Sequence, residues 1–413
     1  MLSSYRQIFA APGSLAFCST GFVSRLPISM TGIGIVTMLS QLRGSYALAG
    51  AVSATMALAA AALGPLVSRL VDRHGQRRVA VPATVVTILA TIAMLLCTRF
   101  GAPDWTLFVC AAGVGVMPST GAMVRARWAH LYRSDEAKLH TAYSLESVVD
   151  EVIFIVGPIL SIGLATSLFP EAGLLLAGVF LAVGVALFTA QRRTEPPVHP
   201  GSRHAGGSAI GSPGLRVLVL TFIATGAIFG SVEVVTVAFA QEQHHKAAAS
   251  LVLALYALGS GLAGLVFGAL KPHGTPARRF QVWVAAMAVS VVPLVLVASW
   301  CTGVAGLAAL GGALFLAGIS ISPTMITTMA LVERLVPAAQ LTEGMTWTTT
   351  GLALGVAGGS SVSGWLVDAH GAAAGYGVAV GAAVFAALTA LACGRWLHSE
   401  STAELPPAVP VAH

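Results

Sequence analysis

The sequence predicts an all-α membrane protein, with twelve transmembrane helices arranged as two pseudo-symmetric six-helix bundles. Three observations lead there. Of 413 residues, 56 % are hydrophobic and only 9 % are charged, where a soluble domain carries about a quarter charged residues. With a mean hydropathy of +0.84, the apolar surplus has to face lipid. The few charges fall in short clusters between apolar runs of the length that crosses a bilayer, about 20 residues. Finally, the second half of the chain repeats features of the first.

The same figures exclude other classes. A pI near 9.3 invites a nucleic-acid reading, yet these basic residues sit in loops between apolar runs and not on one solvated face. No nucleic-acid partner is expected. Five cysteines (Cys18, Cys97, Cys110, Cys301, Cys393) lie far apart with no Cys-x-x-Cys, so neither a disulfide framework nor a zinc site is expected. Most of the eleven histidines fall in polar gaps, which argues against a histidine-held cofactor at membrane depth. The first apolar run follows a single arginine, Arg6, and continues past Leu26 with no small-residue cleavage site. It reads as a retained first span.

Each span is bounded by a charge or turn cluster. Span one, 13–39, opens at Gly13 and contains Arg25; span two, 46–67, ends before the basic run Arg69 to Arg78. Spans three (79–98) and four (105–124) flank Arg99, and span four stops before Arg125 and Arg127. Span five, 140–166, begins after Lys138, and span six, 171–190, ends at Gln191-Arg192-Arg193. Spans seven (215–240) and eight (248–270) follow Pro213-Gly214 and Lys246. Spans nine (280–300), ten (304–329), eleven (343–366) and twelve (374–397) are separated by Gly303, Arg334 and Gly371.

Of the 22 Lys and Arg residues, 18 fall on one set of sides, and only Arg43, Arg99 and Lys246 on the other. Basic residues near span ends stay in the cytoplasm, so both termini are expected there, in the inner or plasma membrane. The domain plan is a bundle over 1–190, a Pro/Gly/Ser-rich cytoplasmic linker over 191–214, a second bundle over 215–397 and a tail over 398–413. A shift of about 200 residues, close to half the chain, places Gly64 to Arg78 on Gly264 to Arg279, and Gly113 with Pro118 on Gly318 with Pro323. Parallel halves with a site between them at mid-depth are the architecture of alternating access.

The segment Ser68-Arg69-Leu70-Val71-Asp72-Arg73-His74-Gly75-Gln76-Arg77-Arg78 resembles the loop between helices two and three of the major facilitator superfamily. Asp72, Arg73, Gly75, Arg77 and Arg78 match; Ser68 replaces a glycine and Gln76 a basic residue. The second copy, Gly268 to Gly274, has Pro272 in place of the acid. Within the superfamily the chain looks like bacterial, actinobacterial-type drug or metabolite:proton antiporters. The resemblance implies that Asp72 meets the start of helix eleven at Thr342 and Glu343, with Arg125 or Arg127 as basic partner. Gly75 permits the tight turn.

Charges at bilayer depth mark candidate chemistry, since each costs about 2.5–3.5 kcal/mol at a helix centre on insertion scales. Arg25 lies in span one, Asp150 and Glu151 in span five, Glu233 in span seven. Superfamily packing sets helix five beside helix one, which implies that Arg25 pairs with Asp150 or Glu151 and leaves the other carboxylate to carry a proton. Glu146 shares the Asp150 face at i, i+4. Glu233 meets cargo or a proton, or reaches outside water. Gly157-Pro158 is similar to the tail of the antiporter motif and forms a helix hinge. The helices that surround the cavity in the superfamily imply a lining of Ser24, Ser119, Thr120, Ser320, Ser322, Thr324, Thr327, Thr346, Trp347 and Thr350.

The expected function is secondary active transport. The main reading is efflux of small amphipathic organic compounds in exchange for protons, by a monomer whose only energy source is the proton gradient. The alternatives are a proton-coupled importer of a sugar or carboxylate, and, from another class, a membrane-embedded enzyme or lipid scramblase. No nucleophile–base pair, metal cluster or nucleotide loop supports an enzyme.

Overall fold

The computed structural model describes residues 2–198, 207–245, 248–270 and 273–397, and all its regular elements there are helical. A short helix α1 (Leu2–Ile8) precedes α2 (Ser14–Leu42), α3 (Tyr46–His74), α4 (Gln76–Arg99), α5 (Asp104–Val114), α6 (Thr120–Leu131), α7 (Glu136–Ser167) and α8 (Ala172–Ala190). The second half holds α9 (Pro213–Glu242), α10 (Ala248–Ala269), α11 (Pro276–Ser290), α12 (Val292–Trp300), α13 (Gly303–Gly318), α14 (Ile321–Leu335), α15 (Leu341–His370), α16 (Ala372–Ala392) and α17 (Gly394–Leu397). Eleven spans among the described residues are long and apolar enough to cross a membrane, counting α11 with α12 and α13 with α14 as one each. The twelfth crossing is the broken pair α5 and α6.

Span four differs from its sequence reading for a physical reason. Pro118 lacks an amide hydrogen and Gly115 is pressed against Ala59 and Ala60 of α3, so the helix stops at Val114 and restarts at Thr120. The restarted helix runs to Leu131, which puts Arg125 and Arg127 inside it and not in a loop. The equivalent break between α13 and α14 precedes Pro323. Elsewhere the ends follow local chemistry. Ser45, Asp135, Ser212 and Thr275 each cap a helix through the side chain, and Pro213 and Pro276 occupy the first helical turn.

Within the first half α2 packs on α7 and α8; within the second, α9 packs on α15 and α16. Side chains at Gly226 and Gly230 would strike the backbone of Leu352 and Val356, and at Gly355 and Gly359 that of Ile223 and Ala227. These small residues therefore join α9 to α15 inside the second half, rather than one half to the other. The halves meet where α3 touches α15 and α7 touches α10 and α14. Large apolar side chains such as Leu58, Leu89, Ile159, Leu251, Val289 and Leu388 are exposed on the outer helix faces, a surface suited to lipid.

The end of the molecule bearing α1, the Gly75 turn and the 191–212 connection is termed the near side. Within that connection, Arg192–Thr194 and Ala209–Gly211 form single helical turns. Residues 199–206, with Arg203, lie outside the described residues, as do Lys246, Lys271, Pro272 and the 398–413 tail.

Candidate functional site

At mid-depth the first half contains a closed network of charges. Arg25 of α2 is 1 % exposed and donates to Glu146 Oε2 at 2.5 Å and to Asp150 Oδ1 at 2.9 Å. Arg125 of α6 donates to the other oxygen of Asp150 at 2.5 Å. Glu146, fully buried, also accepts from Trp128 Nε1 at 2.7 Å and from Cys18 Sγ at 3.5 Å. Two guanidinium groups and two carboxylates balance, and the pairing offsets the cost of burying Arg25 and Glu146.

Of the two partners expected for Arg25 the structure selects Asp150, and it adds Glu146. Both of its partners are taken from one face of α7, Glu146 and Asp150, and Glu151 does not touch it. Successive residues on a helix point about 100° apart, so a helix that aims Asp150 at α2 aims Glu151 elsewhere. Glu151 instead accepts from Ser260 Oγ of α10 at 2.6 Å.

On the near side a contact between the halves is assembled around Asp72. Its two oxygens accept from the backbone N–H groups of Thr342 at 3.2 Å and Glu343 at 2.9 Å, where the start of α15 offers unpaired donors and partial positive charge. Ser68 and Thr346 hydroxyls meet at 2.8 Å beside it. Neither Arg125 nor Arg127 is the partner of Asp72. Arg125 is held by Asp150, while Arg127 donates to Gln76 Oε1 at 2.8 Å, to Gln191 O at 3.0 Å and to Thr194 Oγ1 at 2.9 Å. Its guanidinium also lies 3.8 Å over the Phe188 ring. Gln76, a departure from the family pattern, is thus a buried acceptor for Arg127.

Gly75 adopts a φ of 96°, where glycine is favoured, and the Arg77 amide donates to Glu195 Oε1 at 3.1 Å. Arg73 is half-buried, and Arg77 and Arg78 are exposed. The connection also joins this contact: Arg69 and Gln340, from different halves, both donate to Gly207 O, at 2.8 and 3.2 Å, and Ser208 bonds Glu343. A pocket of about 310 Å³ opens beside Asp72, lined by Gly75, His130, Arg133, Glu333 and Thr342 among others.

A second seam joins α7 to α10. Thr141 donates to Gly268 O at 2.8 Å, Ser144 to Gly264 O, and the His140 ring lies 2.9 Å from Phe267 O. Glu136 bridges to Arg279 at 3.3 Å and Arg334 at 3.2 Å. Among the described residues, every hydrogen bond or ion pair between the halves lies between the near side and the level of Glu151.

The expected cavity lining is mostly not exposed. Ser24 bonds its own backbone at Gly21, and its main chain is where a side chain at Gly184 of α8 would strike, so it faces a neighbour inside its bundle. Thr120 donates to Ser24 O at 3.3 Å. Ser320, Thr324 and Thr327 bond backbone carbonyls of their own helix, the usual habit of hydroxyls in membrane helices. Ser322 lies 2.9 Å from Ser260, Thr346 meets Ser68 beside Asp72, and Thr350 is buried. Ser119 and Trp347 are half-buried.

Helix α7 continues through Pro158 to Ser167. Gly157 lies against Ser29 and Met30 of α2, and Ser29 donates to Ile153 O at 2.8 Å. Glu233 is exposed and makes no hydrogen bond or ion pair among the described residues. It shares a helix face with Phe229, which contacts Tyr256 of α10, and with Gly230, which contacts α15.

Sequence reasoning missed Trp128, Gln76 and Ser260 as partners and ranked Glu146 too low. Only Glu146 carried a signal, its i, i+4 spacing to Asp150.

A family model described as the Major Facilitator Superfamily matches residues 17–246 and 218–410. No curated protein sequence matches. Among solved structures, a bacterial homologue of the iron transporter ferroportin in an outward-facing state is similar with a TM-score of 0.75 at 17 % identity, covering 93 % of this chain and 100 % of that one. The E. coli fucose:proton symporter gives 0.68 at 13 %, over 92 % and 98 %. A human organic anion transporter gives 0.64 at 15 %, over 94 % and 99 %. These likenesses show the fold, and the family match covers nearly the whole chain: it is a multi-pass membrane transporter that belongs to the Major Facilitator Superfamily.

Proposed function

We propose that this chain exports small amphipathic organic compounds in exchange for protons, as a monomer with both termini in the cytoplasm of a bacterial inner or plasma membrane. The observation that carries the reading is the set of ionisable groups at mid-depth. Arg25, Arg125, Glu146 and Asp150 neutralise one another, while Glu151 stands beside them with a hydroxyl partner only. A membrane carboxylate with no cation beside it is a place for a proton to travel. The near side is the one with the excess of basic residues, so a seam closed there corresponds to an outward-facing state. The exposed Glu233 adds a further carboxylate on α9.

The fold likeness to a fucose:proton symporter supports a second reading, proton-coupled import of a sugar or carboxylate. Reconstitution in liposomes separates the two. With an imposed pH gradient, export predicts cargo movement opposite to the proton and import predicts movement with it; both stop on adding an uncoupler. The combined substitution Asp150→Asn and Glu151→Gln is expected to abolish gradient-driven flux while the protein remains folded in the membrane. Undiminished flux from that variant removes the coupling assignment.

A further inference from the structure

Glu151 differs from the other three carboxylates of α7 in what it meets. Glu136 faces Arg279 and Arg334. Glu146 and Asp150 face guanidinium groups. Glu151 leaves its own half and accepts from Ser260 Oγ of α10 at 2.6 Å, and Ser260 lies 2.9 Å from Ser322 Oγ of α14. Both serines are buried. The titratable groups that face Glu151 are Asp150 on its own helix and Tyr256 on α10; α14 contributes only the Ser322 hydroxyl. No ion pair reaches it among the described residues. Among the described residues it is also the polar contact between the halves that lies farthest from the near side.

We infer that Ser260 and Ser322 are positioning residues that make Glu151, rather than Asp150, the proton carrier, and that its protonation state governs separation of α7 from α10. The inference rests on the proton-coupled reading above. A serine hydroxyl both donates and accepts, and its hydrogen rotates freely. With Glu151 ionised, Ser260 donates to it and Ser322 donates to Ser260. With Glu151 neutral, its own O–H donates to Ser260, whose hydrogen turns to Ser322. The pair serves both forms without moving a heavy atom.

One proton joins a carboxylate oxygen from far-side water and later leaves to near-side water, and no other bond changes. In the closed seam Glu151 is half-buried, and its ionised form has one hydroxyl and no cation to replace the hydration it has lost, so the neutral form favours closure. Parting of α7 and α10 breaks the Ser260 contact, admits near-side water and releases the proton. Asp150, clamped by two arginines, remains the fixed counter-charge.

Hydrogen–deuterium exchange across α10 residues 260–269, measured against pH and corrected for intrinsic rates, tests this on the intact chain alongside flux in liposomes. In the wild type, exchange is expected to rise with pH as the seam opens. Glu151→Gln is expected to stay protected at every pH. Ser260→Ala removes a donor that bonds the ionised form more strongly, so its midpoint is expected to move to alkaline pH by about one unit, with Ser260→Thr restoring it. A Glu151→Gln variant that follows the wild-type curve, or a Ser260→Ala midpoint that does not move, overturns the inference. If exchange follows Glu151 but a pH gradient drives no flux in the wild type, the seam switch stands and the coupling reading fails. Proton-driven flux with exchange indifferent to Glu151 has the opposite meaning.

Discussion

Arg25 is the residue on which the buried network turns. It is 1 % exposed and Glu146 is 0 % exposed, so deleting one charge strands the other where water cannot reach. Breaking such a pair from one side costs about 3–5 kcal/mol. Arg25→Met alone is therefore expected to lower thermal stability in detergent more than Arg25→Met combined with Glu146→Gln. Additive effects in that double-mutant cycle, followed by thermal unfolding, contradict the pairing. The sequence made Arg25 and Asp150 visible because a charge inside an apolar run is conspicuous in any reading. Trp128 and Ser260 were invisible because an indole or a serine in a membrane helix is ordinary, and only the neighbour it meets gives it a role.

Some helix ends follow local chemistry alone, whereas the break at Gly115 and Pro118 was not read from the sequence. Asp135 accepts from the Lys138 amide at 3.0 Å and its side chain pairs with Lys138 at the same distance. The backbone hydrogen bond first, then the side-chain contact, holds the Asp135 carboxyl below the usual carboxylate range. A carboxyl lowered in the folded state stabilises α7 above its ordinary titration range. That contribution fades as pH falls through the lowered value. Asp135→Ala is expected to cost about 1 kcal/mol near neutrality and much less in acid, a difference that unfolding at the two pH values checks. By contrast, the positions of Arg125 and Arg127 could not be read from hydropathy. A basic pair at the end of an apolar run looks like a loop, yet α6 continues through it because Asp150, Gln76 and the Phe188 ring satisfy both guanidinium groups.

At the scale of the whole molecule, the polar contacts between the halves among the described residues gather toward the near side, and Asp72 holds the start of α15 in that seam. Asp72→Asn keeps the shape but loses the charge that complements a helix N-terminus, worth about 1 kcal/mol or roughly fivefold in a two-state population. The near side is then expected to open more often, read as faster amide exchange over 341–346. Unchanged exchange there contradicts a gating role for Asp72. The connection between the halves, expected as a loose linker, contributes to the same seam through Gly207 and Ser208.

The sequence by itself determined the all-helical membrane class, the run of spans, the doubling of the chain and the place of the Asp72 turn. These depend on composition, on span length against bilayer thickness and on residues close together in the chain. The tertiary structure alone decided which carboxylate meets Arg25, which arginine holds Asp150 and that Glu151 reaches across to the other half. Those outcomes depend on how each helix is rotated about its own axis. That rotation is set by close contacts such as Gly157 against Ser29, between residues more than a hundred positions apart, where a change of one residue turns a side chain by about 100°.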